Sequence, residues 1–194
     1  MHTDPDIQLM LEFKAGNQMA FRDLFERHKQ PVVNYCYRFC GHRAVAEELA
    51  QEVFLRIYKA APRYRPKARF RTWLFKIATN VCLNEIRKLV YRQQVESLDP
   101  FPDAGGGQPA QAMPESPEPG PDIELVRAER QQKVRSAIGA LPEKQRAALL
   151  LRVEGEFSYK EIADQIKCPV NHVKTLIHRG RQSLQRALAS YLGE

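Results

Sequence analysis

No stretch of this chain alternates apolar and polar residues for long enough to make a strand, which excludes a sheet-based fold. No apolar run approaches the roughly 20 residues that span a bilayer, so direct membrane insertion is not expected. The first residues, MHTDPDIQ, are polar and acidic and do not read as a secretory leader. A glycine-rich phosphate loop and the spacings typical of catalytic Ser, His and carboxylates are also missing. An enzyme is therefore not expected, nor a cofactor, nor a small-molecule substrate. Cysteine is scarce, with Cys36, Cys40, Cys82 and Cys168 the complete set, and without a leader the expectation is reduced thiols in the cytoplasm. One segment lacks basic residues altogether. Residues 96–122 hold no Lys or Arg, six Asp or Glu, seven prolines and four glycines. Such a composition cannot bury enough apolar surface to fold and reads as a disordered acidic linker.

What is present falls on either side of that segment. The chain has 194 residues, 43% of them hydrophobic, and a net charge of +7. Residues 1–95 carry 17 Lys/Arg against 9 Asp/Glu, and residues 123–194 carry 13 against 8. Two basic blocks joined by an acidic strap suit a polyanion held at two places. Both blocks have helical periodicity, which predicts an all-α protein of two small domains, 1–95 and 123–194. In the first block, Ile7, Leu9, Met10 and Phe13 start a helix that Gly16-Asn17 breaks, with Asn17 able to cap the next. Pro31 is expected to restart a third helix, and further helices are expected near 43–61 and 70–92. In the second block they are expected near 122–139, 142–153, 158–166 and 169–191.

The second block carries the sharper signal. In FSYKEIADQI, Ser158 and Glu161 form a capping box, and Ile162, Ala163 and Ile166 share one face. The turn Lys167-Cys168 leads to Pro169, which suits a first helical position. Along the helix that follows, Val173, Leu176, Ile177, Gly180 and Leu184 fall in one sector, while Asn171, Lys174, Thr175, His178, Arg181 and Gln182 lie roughly opposite. A capped helix, a tight turn and a second helix with a basic face make a helix-turn-helix, whose second helix enters the major groove. Lys and Arg can pair with guanine edges or phosphates, and Thr and His can reach either.

The first block has its own candidate. YKAAPRYRPKARFRTWLFKIATNVCLNEIRK interleaves Tyr64, Phe70, Trp73 and Phe75 with Arg63, Arg65, Lys67, Arg69, Arg71 and Lys76. Rings stack on unpaired bases at about 1–3 kcal/mol each while cations follow the backbone. Asn80 and Asn84 lie one turn apart and can bond an unpaired base edge. Trp73 and Ile77 also fit a helical core. Glu47, Glu48 and Glu52 make an acidic edge in a basic domain, which suits a protein partner or a solvated face.

AEELAQEVFLRIYKA followed by FRTWLFKIATNVCLNEIRK resembles region two of the sigma-70 family. LPEKQRAALLLRVEGEFSYKEIADQIKCPVNHVKTLIHRGRQSLQ resembles region four. With no region-three domain between them, the layout is similar to the extracytoplasmic-function (ECF) sigma factors of bacterial RNA polymerase. The resemblance implies docking on core polymerase, at the clamp of the largest subunit and at the flap, with Glu48, Gln51, Glu52 and Phe54 on the clamp-facing helix. It implies capture of a flipped −10 base by Tyr64, Arg65 and their loop, with Ala60, Ile77 and Asn80 as pocket wall and floor. Asn84, Arg87 and Lys88 then lie near upstream −10 duplex, and Lys174, Thr175, His178, Arg179 and Arg181 face the −35 element. Promoter DNA, double- and single-stranded, and an anti-sigma factor are the further partners implied; no metal is.

Two departures from the family pattern stand out. Asn171-His172 replaces the frequent Gly-Thr, and Thr175-Leu176 replaces Ser-Arg, so a different −35 preference is expected. Fully extended, the linker spans at most roughly 90 Å, enough for the about 70 Å of two duplex turns. Two other readings of the residues remain open at this point. One is a stand-alone helix-turn-helix regulator, which would dimerise on paired half-sites. The other is a thiol or metal sensor built on Cys36-x3-Cys40-x-His42, although Cys36 and Cys40 also fit the apolar stripe of their helix.

Overall fold

The computed structural model describes residues 4–96 and 121–192, and every regular element among them is a helix. The first half runs α1 (Pro5–Lys14), α2 (Gln18–Cys40), α3 (Arg43–Ala60), a 3-10 turn (Ala61–Arg63) and α4 (Phe70–Glu96). The second runs α5 (Pro121–Gly139), α6 (Glu143–Glu154), α7 (Tyr159–Ile166) and α8 (Val170–Leu192). The expected linker lies outside the described residues from 97 to 120, and its two ends belong to helices α4 and α5.

Local signals account for most helix ends in the first half. The Asp4 carboxylate accepts from the Asp6 N–H at 3.0 Å, and the Asn17 side chain accepts from the Met19 N–H at 3.1 Å, each filling an orphan donor of a first turn. Gly41 ends α2 in the left-handed region, at φ 80°, where a glycine carries no Cβ penalty. Pro31 does not restart a helix as expected; α2 runs through it without a break. A proline inside a helix costs about 3 kcal/mol or more. Here its ring is exposed, while Leu24, His28, Val32, Tyr35 and Phe39 bury on both sides of it. Burial of such side chains contributes about 1.5–3 kcal/mol each, enough to carry the helix across.

Those residues meet Val53 and Ile57 of α3 and Phe70, Leu74, Phe75 and Ala78 of α4 in one core. The Tyr35 hydroxyl, wholly buried, bonds Thr79 at 2.8 Å. Cys36 and Cys82 face each other in the same core with their sulfurs 3.7 Å apart, while the Cys40 thiol donates to the carbonyl of His42, not to its ring. The Cys36-x3-Cys40-x-His42 spacing is thus spent on packing and a helix end, and among the described residues no His, Cys, Asp or Glu group of three or more is placed to hold a metal.

The second half is smaller, and its core continues into the first. Leu149, Leu150 and Leu151 of α6 pack with Ile162 and Ile166 of α7 and with Val173, Leu176 and Ile177 of α8. Past α6, the chain turns through Gly155 and Glu156, the latter at φ 53°, so that Phe157 folds back. Its ring meets the Phe75 ring edge-on with centroids 5.6 Å apart. Polar contacts flank this seam. Arg71 donates to the Glu154 carbonyl at 2.9 Å, Thr72 donates to Glu161 at 3.0 Å, and Arg38 pairs with the Glu154 carboxylate. Arg146 of α6 donates to the Phe39 carbonyl at 2.8 Å, at the C-terminus of α2.

A Cβ at Gly155 would sit 2.1 Å from the Phe157 ring and 2.9 Å from the Leu151 carbonyl. Gly155→Ala must therefore displace the ring from the seam, and the expected loss is about 1–3 kcal/mol, the usual cost of overpacking. Urea denaturation checks this; an unchanged midpoint would show that the ring has another place to go.

Candidate nucleic-acid interface

The α8 face expected to meet DNA is open, and its back is closed. Val173, Leu176, Ile177 and Gly180 are buried, whereas Asn171, Lys174, Thr175, His178, Arg179, Arg181 and Gln182 are exposed. The Ser158–Glu161 capping box forms in both directions: the Ser158 hydroxyl accepts from the Glu161 N–H, and the Glu161 carboxylate accepts from the Ser158 N–H at 2.9 Å. Lys167 adopts the left-handed conformation at φ 53°, which turns the chain sharply between α7 and α8. Thr175 returns its hydroxyl to the Asn171 carbonyl at 3.2 Å, and Lys174 lies over the Tyr159 ring, 6.0 Å from its centroid. The result is one solvent-facing row of donors on a rigid helix, with the dimensions a major groove accepts.

In the first half, helix α1 pins the basic loop at both ends. Lys14 donates to the Tyr64 carbonyl at 2.9 Å, and Asp4 accepts from the Phe70 N–H at 2.9 Å. Between these anchors Arg65, Lys67 and Arg69 are exposed. Tyr64 is not displayed on the loop. It is 5% exposed, its ring lies 4.8 Å from that of Trp73, and its hydroxyl has no partner. Burial, with the Asp4 carboxylate adding, pushes its phenol up to about 12. Ala60 and Arg65 line the same cleft as Tyr64 and Trp73.

Along α4, Ile77, Asn80, Asn84, Arg87 and Lys88 follow at helical spacing and form one stripe. Ile77 and Asn80 are half-buried, and the other three are exposed. Arg87 is engaged by Glu143 of α6 at 3.1 Å, and Lys88 by Glu85 at 3.6 Å. On α3, Glu48 and Gln51 are exposed, Glu52 pairs with Arg56 at 2.6 Å, and Phe54 is buried beneath them against Phe25. Phe54 therefore supports this face from inside.

Several participants escaped the sequence reading. Leu55 stands 46% exposed one turn beyond Gln51, adding an apolar contact to the acidic row; its i+4 spacing from Gln51 was the available signal. Thr72 lines the cleft beside Trp73 and the already expected Lys76, and Asp164 and Gln165 reach it from α7. Nothing in the sequence links α7 to that loop.

The profile of sigma-70 region 2 matches residues 24–90, and that of sigma-70 region 4 matches residues 131–184. The ECF RNA polymerase sigma factor SigW of Bacillus subtilis is 33% identical over 181 residues, covering 91% of this chain and 93% of its own. The RNA polymerase sigma-H factor of Pseudomonas aeruginosa is 32% identical, with 98% and 97% covered. In structure, the chain is similar to CnrH in complex with the cytosolic domain of CnrY, at a TM-score of 0.66 and 24% identity over 96% of this chain and 99% of that one. RpoE of Bartonella quintana, solved with the anti-sigma factor NepR, gives a TM-score of 0.66 at 20% identity over 87% and 96%.

Glu161 ties the capping box to the seam, and its charge sets a pH dependence. Burial pushes its carboxyl up, but the Ser158 and Thr72 hydrogen bonds and the Arg69 cation outweigh this and leave it below the ordinary 4.5. A lowered carboxyl contributes stability that is fully present above about 4.5 and is lost as pH falls through the lower folded value. Glu161→Gln keeps a capping side chain without the charge. It should be less stable than the native chain at neutral pH, with the gap closing in acid; denaturation at a series of pH values would show a constant gap if the charge contributes nothing.

Proposed function

This chain belongs to the sigma-70 family of RNA polymerase sigma factors, in its extracytoplasmic-function group, and from that membership we propose how its surfaces divide the work of initiation. It binds core RNA polymerase, recognises the −10 and −35 promoter elements and promotes strand opening. Core polymerase supplies the catalysis. The observation that carries this reading is the α8 row: seven polar or cationic side chains face solvent over a back in which Val173, Leu176, Ile177 and Gly180 are buried, on a helix that packs against the reciprocally capped α7.

Lys174, Thr175, His178, Arg179 and Arg181 read or anchor the −35 element. Glu48, Gln51, Glu52 and the exposed Leu55 dock on the polymerase clamp, with Phe54 stiffening the helix from within. Ala60, Tyr64, Arg65, Ile77 and Asn80 receive an unpaired −10 base, and Asn84, Arg87 and Lys88 follow the adjoining duplex. Capture drives opening, because stacking and hydrogen bonds gained by the extruded base offset its unpairing, a few kcal/mol. The residue ranges 1–95 and 123–194 act as the two readers, with 96–122 as their strap.

The two readers touch in this structure, whereas elements two duplex turns apart lie about 70 Å from each other. Promoter binding therefore requires the Phe75–Phe157 seam and the Arg87–Glu143 pair to part. An anti-sigma factor is the natural regulator, since one that favours the closed arrangement would withhold both readers at once. No helix among the described residues is long and apolar enough to cross a membrane.

Asn80→Ala should impair open-complex formation while leaving association with core polymerase intact, read as lost permanganate reactivity at the −10 element. Tyr64→Ala should do the same, but it also removes a buried ring, so its thermal stability must be measured alongside. Unchanged reactivity in both variants would move base capture elsewhere. Arg179→Ala should weaken holoenzyme binding by about 1–3 kcal/mol if it reads a base. An equal loss on a scrambled −35 sequence would reassign it to phosphate.

A further inference from the structure

The cleft beside the basic loop has two walls from opposite halves of the chain. One wall is Ala60, Tyr64 and Trp73 with the cations Arg63, Arg65, Lys67 and Lys76; the other is Glu161, Asp164 and Gln165 of α7. Its volume is about 510 Å³, within the range of small-molecule clefts. The second wall exists only while the halves are closed on each other, so an extended promoter would meet the first wall alone.

Its chemistry is specific. Gln165 is 2% exposed, and neither atom of its side-chain amide has a hydrogen-bond partner. Leaving a buried amide unsatisfied is costly, and such a group in a native fold calls for an explanation. An amide offers a donor and an acceptor side by side, the pattern a nucleobase edge complements. Trp73, beside the Tyr64 ring, presents an aromatic surface of the kind bases stack upon. The carboxylates divide between two tasks. Both Glu161 oxygens are already taken, one by Thr72 and the other by Ser158. Asp164 is exposed at the margin, where a carboxylate can accept from ribose hydroxyls, as acidic residues do in dinucleotide sites. The four cations outnumber the two carboxylates and suit phosphate.

We propose that this cleft binds a free ribonucleotide: the base is held between the Trp73 side and the Gln165 amide, the ribose lies at Asp164, and the phosphates lie among Arg63, Arg65, Lys67 and Lys76. A ligand that touches both walls stabilises the closed arrangement, because it binds that form and not the open one. It also occupies the place proposed for the −10 base, so nucleotide and promoter compete. The site itself stands on the cleft geometry and does not depend on the promoter reading.

Trp73 is the only tryptophan in the chain and reports occupancy directly. The full-length protein is titrated with ATP, GTP, CTP and UTP, with the deoxy counterparts and with inorganic triphosphate, following Trp73 fluorescence and checking by equilibrium dialysis. At least one ribonucleotide should saturate below about 1 mM, more tightly than its deoxy form and than inorganic triphosphate. Gln165→Leu, a change to an apolar side chain of similar size beside Ile162 and Ile166, should weaken it about tenfold or more, and so should Lys67→Ala in the exposed loop. Absence of saturation with all four, equal binding of inorganic triphosphate, or native affinity in Gln165→Leu would overturn the proposal. Holoenzyme binding to a promoter fragment without nucleotide is measured in parallel. If nucleotide fails while promoter binding persists, only this inference falls; if nucleotide binds but the promoter does not, it stands and the promoter reading falls.

Discussion

The contact between Phe75 and Phe157 governs the arrangement of this molecule. It joins the apolar residues of the two helical halves into one core, and it forms only because Gly155 leaves room for the Phe157 ring to fold back. Around it sit groups whose partners lie in the opposite half: Arg38, Arg71 and Thr72 on one side, Glu154 and Glu161 on the other. One of these contacts is an ion pair and the other two are hydrogen bonds, each contributing on the order of 1 kcal/mol. The seam thus defines the closed form through one ring contact and a few polar ones.

A seam of this kind suits the opening proposed above for promoter binding. The α8 row stays exposed in the closed form, but the α4 stripe does not stay free, since Glu143 holds Arg87. The basic loop keeps its shape because α1 grips both of its ends, through Lys14 and Asp4. An acidic residue near the start of a basic domain would otherwise look like solubilising charge. Here Asp4 bonds the first N–H of α4 and caps α1 as well, so the loop is already ordered and the binding proposed for it has little ordering entropy left to lose.

Much of this was legible beforehand. Asn17, the Ser158–Glu161 pair and the apolar sector of α8 all do what their spacing says, because caps and amphipathic faces are local properties. Pro31 misled, since its backbone penalty is local but the burial that overrides it comes from α3 and α4. Phe54 and Tyr64 were legible as aromatic members of functional stretches, yet both lie inside. Whether a ring packs inward or faces out depends on neighbours distant in the chain, such as Phe25 for Phe54, and only then does Leu55 emerge as the exposed apolar member of its row.

The amino-acid sequence alone determined that this protein is helical, that it comes in two basic blocks around an acidic strap, and that one block ends in a helix-turn-helix with a cationic face. Periodicity, capping and charge act over a few residues, so they can be read in order along the chain. Only the tertiary structure decided that the blocks close on each other, that Glu143 occupies Arg87, and that Gln165 faces the basic loop across a cleft. Those are encounters between residues some 56 to more than 80 positions apart, and no local pattern specifies them.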